Sequence, residues 1–193
     1  MSHRKYRAMI TVFMVLVLIG GGAVWGAETL EKLWQKVNKA QQNGLPKSAV
    51  THLKKIVQLA MEREEYGQAL KALCKQLVFE ANIQGNKPEE KIIRLNEEIG
   101  KVPEHLRPII NLVMARWYWH YYDRNRWRFA NRTATAGMSE VDFTTWDLPK
   151  LFDKIDEYYG EVFSHKQELK KTSMELYRDF FQIGTLPLEY RPT

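Results

Sequence analysis

The chain contains one cysteine, Cys74, in 193 residues. No intramolecular disulfide can form and no thiolate cluster can hold a metal, so stability must come from packing. Inside a helical apolar run, a lone cysteine reads as a small buried hydrophobe. Stretches that alternate apolar with polar residues over strand length are missing as well, which excludes an ordinary half-buried β-sheet. There is no glycine-rich phosphate loop, nucleophile elbow or metallopeptidase helix motif. The five histidines, His3, His52, His105, His120 and His165, never stand at metal-ligand spacing and read as surface or core-edge residues. Glu62, Glu64 and Glu65 fall at a helix boundary without a partner base, while Glu89, Glu90, Glu97 and Glu98 read as a solvated face. The expectation is a protein that is not an enzyme, with no catalytic residue, no cofactor and no metal.

The excess of one charge over the other is small too. The formal net charge is +6, and three of those charges come from Arg4, Lys5 and Arg7 at the very start. Elsewhere Lys and Arg alternate with Glu and Asp along nearly every segment, so no basic stripe marks a nucleic-acid partner. What the chain does have is 45% hydrophobic and 12% aromatic residues, enough to build the core of one domain.

The first 27 residues have the layout of an export signal. Arg4, Lys5 and Arg7 supply the positive start, residues 9–19 are an almost unbroken apolar run, and Gly20, Gly21 and Gly22 interrupt it. Cleavage is expected after Ala23, Gly26 or Ala27, with Val24-Trp25-Gly26 the favoured site. The competing reading keeps the segment as a membrane anchor, because residues 8–27 are uncharged over about the length that crosses a bilayer. Both readings place the remainder outside the cytoplasm, in the periplasm or beyond the cell, and both limit membrane contact to this segment.

From residue 28 onward the apolar spacing predicts helices almost throughout. Leu30, Leu33, Trp34 and Val37 form the stripe of a first helix over residues 28–42, which Asn43-Gly44 ends. Pro46 opens a second, with Val50, Leu53, Val57 and Ala60 inward, and Tyr66, Leu70, Leu73 and Leu77 mark a third. After a break at Gln84-Gly85-Asn86, Pro88 opens a fourth carrying Ile92, Leu95 and Ile99. Residues 103–129 are the longest element, expected to be the most buried, with Leu106, Ile110, Val113, Trp117 and Tyr121 on one face. Residues 131–146 read as a loop. Asp147 is expected to cap a helix with Leu148, Leu151, Ile155, Tyr159 and Val162 inward, and Thr172-Ser173-Met174-Glu175 reads as the capping box of a last helix ended by Gly184. The predicted fold is all-α: an irregular stack of antiparallel helices, tetratricopeptide-like or α-solenoid-like. Its expected boundaries are residues 28–187, with residues 188–193 beginning a linker to further domains.

The densest chemistry lies in Trp117, Trp119, Arg124, Asn125, Arg126 and Trp127, with Arg132 just beyond. One reading is a stacking platform in which indoles and guanidinium groups grip a peptide, sugar or nucleotide. The other is structural, with the aromatics covered by neighbouring elements and the arginines tying the adjoining loop to the helix end. The pattern favours the second. Trp119, Arg124, Arg126 and Trp127 are then expected to be buried against residues 131–146, and truncation of Trp127 to Ala to cost about 3 to 5 kcal/mol.

The same segments carry a family resemblance. Gly44-Leu45-Pro46-Lys47-Ser48-Ala49, Gln68-Ala69-Leu70-Lys71-Ala72-Leu73, Tyr121-Tyr122-x-x-Asn125-Arg126-Trp127-x-Phe129-x-Asn131-Arg132-Thr133, Thr145-Trp146-Asp147-Leu148 and Arg191-Pro192-Thr193 occur in order. Together they resemble the N-terminal helical region of very large bacterial α2-macroglobulin-like proteins. That resemblance implies an exported endopeptidase inhibitor, in which the helical region precedes an array of β-sandwich domains and contributes scaffolding or docking. The family's inhibitory chemistry depends on a bait segment and often on a Cys-x-Glu-Gln thioester, and Cys74-Lys75-Gln76-Leu77 does not fit that pattern. No functional residue is carried over. The implied partners are downstream macroglobulin-type domains, proteases or envelope proteins; the alternative is a stand-alone helical module that binds a protein or peptide.

Overall fold

The computed structural model describes residues 28–85, 87, 89–130 and 142–181. The expected export segment lies outside them, as do Asn86, Pro88, Asn131, Arg132, Thr133, Gly184 and residues 188–193. Among the described residues the protein is all-α, with no strand. The helices are α1 (Leu30–Gln42), α2 (Pro46–Glu62), α3 (Tyr66–Ile83), α4 (Glu90–Glu98), α5 (Arg107–Arg124), α6 (Arg126–Ala130), α7 (Leu148–Ser164) and α8 (Lys166–Leu169). Short 3₁₀ turns occupy Ile99–Lys101, Glu104–Leu106, Phe143–Thr145 and Met174–Tyr177.

The first three helices fold back on one another because the chain reverses twice through the same turn. After α1, the Leu45 N–H donates to Ala40 O at 2.8 Å and the Gly44 N–H to Gln41 O at 3.1 Å. Gly44 sits at φ +65°, the left-handed conformation that this C-cap requires and that glycine tolerates best. After α2, the Glu65 N–H donates to Ala60 O at 2.9 Å and the Glu64 N–H to Met61 O at 3.2 Å. Here the left-handed position, φ 59°, is held by Glu64.

Helix α3 joins two cores. Ala69 and Ala72 face Leu33, Val37, Leu53, Ile56 and Ala60 from α1 and α2. Leu70, Leu73 and Leu77 face a larger, aromatic-rich core built from α4, α5 and α7. Each fully buried Leu or Ile in these rows contributes roughly 1.5–3 kcal/mol. Small residues on one side and leucines on the other let α3 approach its earlier neighbours closely while filling the wider space beyond.

A buried row begins at Leu106, in the turn before α5, and continues through Ile110, Met114, Tyr118 and Tyr121 of the helix, whereas Val113 and Trp117 are only partly buried. Apolar residues stand on every side of this helix, so spacing alone could not choose between adjacent rows. The segment expected as a loop is different in kind at its end. Asp142 accepts from the Thr144 N–H at 3.0 Å and caps the turn Phe143–Thr145. That turn drives Phe143 and Trp146 into the core, against Tyr118 at ring separations of 5.1 and 6.1 Å. Asp147 then caps α7 as expected, accepting from the Lys150 N–H at 3.0 Å. Leu151, Ile155 and Tyr158 are the buried row of α7, with Tyr159 and Val162 half-exposed at its margin.

The expected capping box does not start a long helix. Ser173 accepts from the Glu175 N–H at 3.3 Å, and the Thr172 hydroxyl turns back to donate to Glu168 O at 3.0 Å. Among the described residues that follow, the one helical element is the turn Met174–Tyr177. Tyr177 is buried there, and the backbone lies so close to α3 that a Cβ on Gly67 would be 2.6 Å from Leu176 O. Docking against α3 fixes the path of this segment and overrides its local helix signal.

Candidate functional site

Helix α5 turns about 100° per residue, so its aromatic and cationic side chains are dealt out to different faces. Arg116, His120 and Arg124, each four apart, run as a row beside Trp117, with an arginine at either end and an imidazole between them. From α4, Lys91 reaches across and places its ammonium 4.9 Å from the centre of the Trp117 ring. Lys91, Trp117, His120, Tyr121, Arg124 and Asn125 line a recess of about 150 Å³. Trp117 and His120 also line a neighbouring groove of about 600 Å³, together with Arg116, Cys74, Leu112, Val113, Tyr159, Phe180 and Phe181. The two hollows therefore meet along the Trp117–His120 edge.

The electrostatics of the recess follow from burial and from crowding of like charge. Burial lowers the pKa of Lys91, Arg124 lowers it further, and the Cys74 side chain opposes this weakly. His120 is lowered by burial and then by Arg116, Lys91 and Arg124, with Asp123 acting in the other direction. Burial pushes the Cys74 thiol up to about 12, so at neutral pH it is a protonated apolar wall rather than a nucleophile. Chemically, this arrangement can seat an anionic group in the recess and an apolar body in the groove.

The predicted cluster is split by the fold. Trp117, Arg124 and Asn125 meet at the recess. Asn125 also ends α5, its side-chain amide donating to Tyr121 O at 2.8 Å. Trp119 lies elsewhere, 39% exposed and packed on Tyr122 and Phe152 at ring separations of 5.7 Å. Arg126 pairs with Asp123 and lies 5.8 Å from the Tyr122 ring centre. Trp127 is 71% exposed, and Trp119, Arg124 and Arg126 are exposed as well, which corrects the expectation that the four are buried. The break at Asn125 resets the helical phase, and Phe129 rather than Trp127 is the residue of α6 that enters the core. Arg132 is outside the described residues.

Sequence reasoning overlooked Lys91, Arg116 and His120 as site residues. The spacing of Arg116, His120 and Arg124 was a legible signal, while the approach of Lys91 depends on how α4 crosses α5. A third hollow, of about 450 Å³, lies between α4 and α7. Tyr118 and Trp146 form its wall, and the Tyr158 hydroxyl donates to Asn96 Oδ1 at 3.2 Å. Among the described residues no group of three or more His, Cys, Asp and Glu side chains is placed to hold a metal ion. No described helix is long and apolar enough to cross a membrane.

No protein-family model matches the chain, and no curated protein or solved structure matches it either.

Proposed function

We propose that this chain is a non-catalytic helical docking region, exported from the cytoplasm, that forms the N-terminal part of an α2-macroglobulin-like endopeptidase inhibitor. The structural observation that carries the docking part is the basic recess opening onto the groove beside Trp117, set on packed helices. A rigid frame presenting one mixed polar and apolar hollow suits partner binding. The family part rests on the ordered segments from Gly44 to Thr193, and export rests on the charge and apolar pattern of residues 1–27. Its partners on this reading are macroglobulin-type domains downstream, proteases or envelope proteins.

Reading the gene beyond Thr193 tests the family assignment: β-sandwich macroglobulin domains are expected in the same frame, and their absence overturns it. Sequencing the mature N-terminus tests export by cleavage, for which a start at Met1 or Ser2 is the adverse result.

A second reading, a stand-alone extracytoplasmic module that binds a protein or peptide, is favoured by one observation. Trp127 is 71% exposed, although a purely architectural aromatic cluster has no need to leave an indole in solvent.

A further inference from the structure

The Trp117 edge joins a small cationic recess to a larger apolar groove, and the chemistry of the two together specifies an occupant. Lys91, Arg116 and Arg124 gather around it, and none of them bonds a carboxylate among the described residues. Asp123, next to Arg124 in the chain, is committed to Arg126, and Glu90, next to Lys91, is committed to Arg94. Cations held this close repel one another, and a carboxylate placed among them relieves that repulsion. At about 150 Å³ the recess takes one such group rather than an extended polyanion. The adjoining groove, about 600 Å³, is floored by Leu112, Val113, Phe180 and Phe181 and has room for bulky apolar side chains.

We propose that the joined recess and groove dock an acidic, apolar segment of a partner protein. One carboxylate side chain sits between Lys91 and Arg124, and neighbouring aliphatic or aromatic side chains lie along Trp117 and Phe181. A protein segment fits better than a membrane surface, because Lys91 is half-buried over the Trp117 ring. A single side chain can enter to meet it, whereas a sheet of lipid headgroups meets only projecting cations. The inference rests on the docking reading but not on the macroglobulin one: absence of downstream macroglobulin domains leaves it standing, and failure of the peptide below leaves that family reading untouched.

The test titrates the full chain into a short fluorescein-labelled peptide alternating Glu with Leu and Phe, followed by fluorescence anisotropy. Saturable binding is expected, weakening with added salt and lost by at least about tenfold when Lys replaces Glu or Ala replaces Leu and Phe in the peptide. Arg116→Glu with Arg124→Glu is expected to weaken it by at least about tenfold, whereas Lys166→Glu with Lys170→Glu, on exposed side chains at α8, leaves it unchanged. If circular dichroism shows that the first pair disturbs folding, Arg116→Gln on its exposed side chain carries the test with an expected loss of about threefold. Absence of saturable binding, or binding that Arg116 and Arg124 do not affect, overturns the proposal. So does a chain that ignores the peptide but binds phosphatidylglycerol vesicles through these two arginines, which would assign the hollow to a lipid.

Discussion

The Trp34 indole N–H donates to Gln68 Oε1 at 2.7 Å, tying α1 to the start of α3. The other end of the same amide, Gln68 Nε2, donates to Asp179 Oδ2 at 2.5 Å, so one side chain joins the first helix to the last described segment. Beside it, Gly67 lets the backbone of Leu176 and Tyr177 close onto α3. Gly67→Ala is therefore expected to destabilise by about 1 to 3 kcal/mol through overpacking against backbone that has little room to yield. Gln68→Ala should cost less, about 1 to 2 kcal/mol, but should expose residues 174–181 selectively. Urea titration measures the first effect. Hydrogen exchange at the Met174–Tyr177 turn measures the second, and uniform exchange in the Gln68 variant would refute the tether.

Glu64 occupies a left-handed position that costs a side-chain-bearing residue roughly 1–2 kcal/mol. Its counterpart at the preceding turn, Gly44, carries no such cost. Glu64→Gly is expected to raise stability by about 0.5 to 1 kcal/mol after the greater chain entropy of glycine is subtracted. An unchanged or lower denaturation midpoint would show that the turn is not strained.

Exposure separates two aromatic residues, Trp127 and Phe143. Trp127→Ala should change stability by no more than about 0.5 kcal/mol, since the ring is 71% exposed. Phe143→Ala, at 2% exposure inside the aromatic core, should cost about 3 to 5 kcal/mol. Chemical denaturation of both variants checks the contrast, and a Trp127 loss above that of Phe143 would reverse it.

The stacked Tyr118 and Tyr158 rings, 5.8 Å apart, make the protein sensitive to alkali. Burial is the main cause that raises both phenols, with Glu157 adding to it, and Tyr158 is pushed up to about 12 from an ordinary value of 10.0. Between those values the unfolded chain gives up protons that the native state keeps, so stability falls as pH rises. The contribution is complete below pH 10.0 and disappears as pH passes about 12. Urea midpoints across this range should decline, and Tyr158→Phe should flatten the decline, at a cost of about 0.5 to 1.5 kcal/mol at neutral pH for the lost bond to Asn96. A slope unchanged by the variant would remove Tyr158 from the account.

The helical character of the chain was legible because it depends on local rules. Spacing marked most of the inward rows of α1 to α4, although Trp34, Val57, Tyr66 and Ile99 are only partly buried and Ile56 joins the core in their stead. Gly44 marked a reversal, and Asp147 marked the start of α7 where the structure places it. Where local signals were ambiguous, packing decided. Neither the buried row of α5 nor the separation of Trp117 from Trp119 and Trp127 could be read from a helix apolar on all sides. The capping box at Thr172 failed for a related reason, since the close approach of Leu176 to Gly67 outweighs a cap worth about 1 kcal/mol.

The candidate site divides in the same way. That Arg116, His120 and Arg124 share a face follows from their spacing, because helical periodicity requires it. That Lys91 crosses from α4 to join them over Trp117, and that Phe180 and Phe181 extend that edge into a groove, depends on how the helices pack. Contacts between elements far apart in the chain depend on which rows pack and which stay at the margin. No periodicity within one helix contains that information.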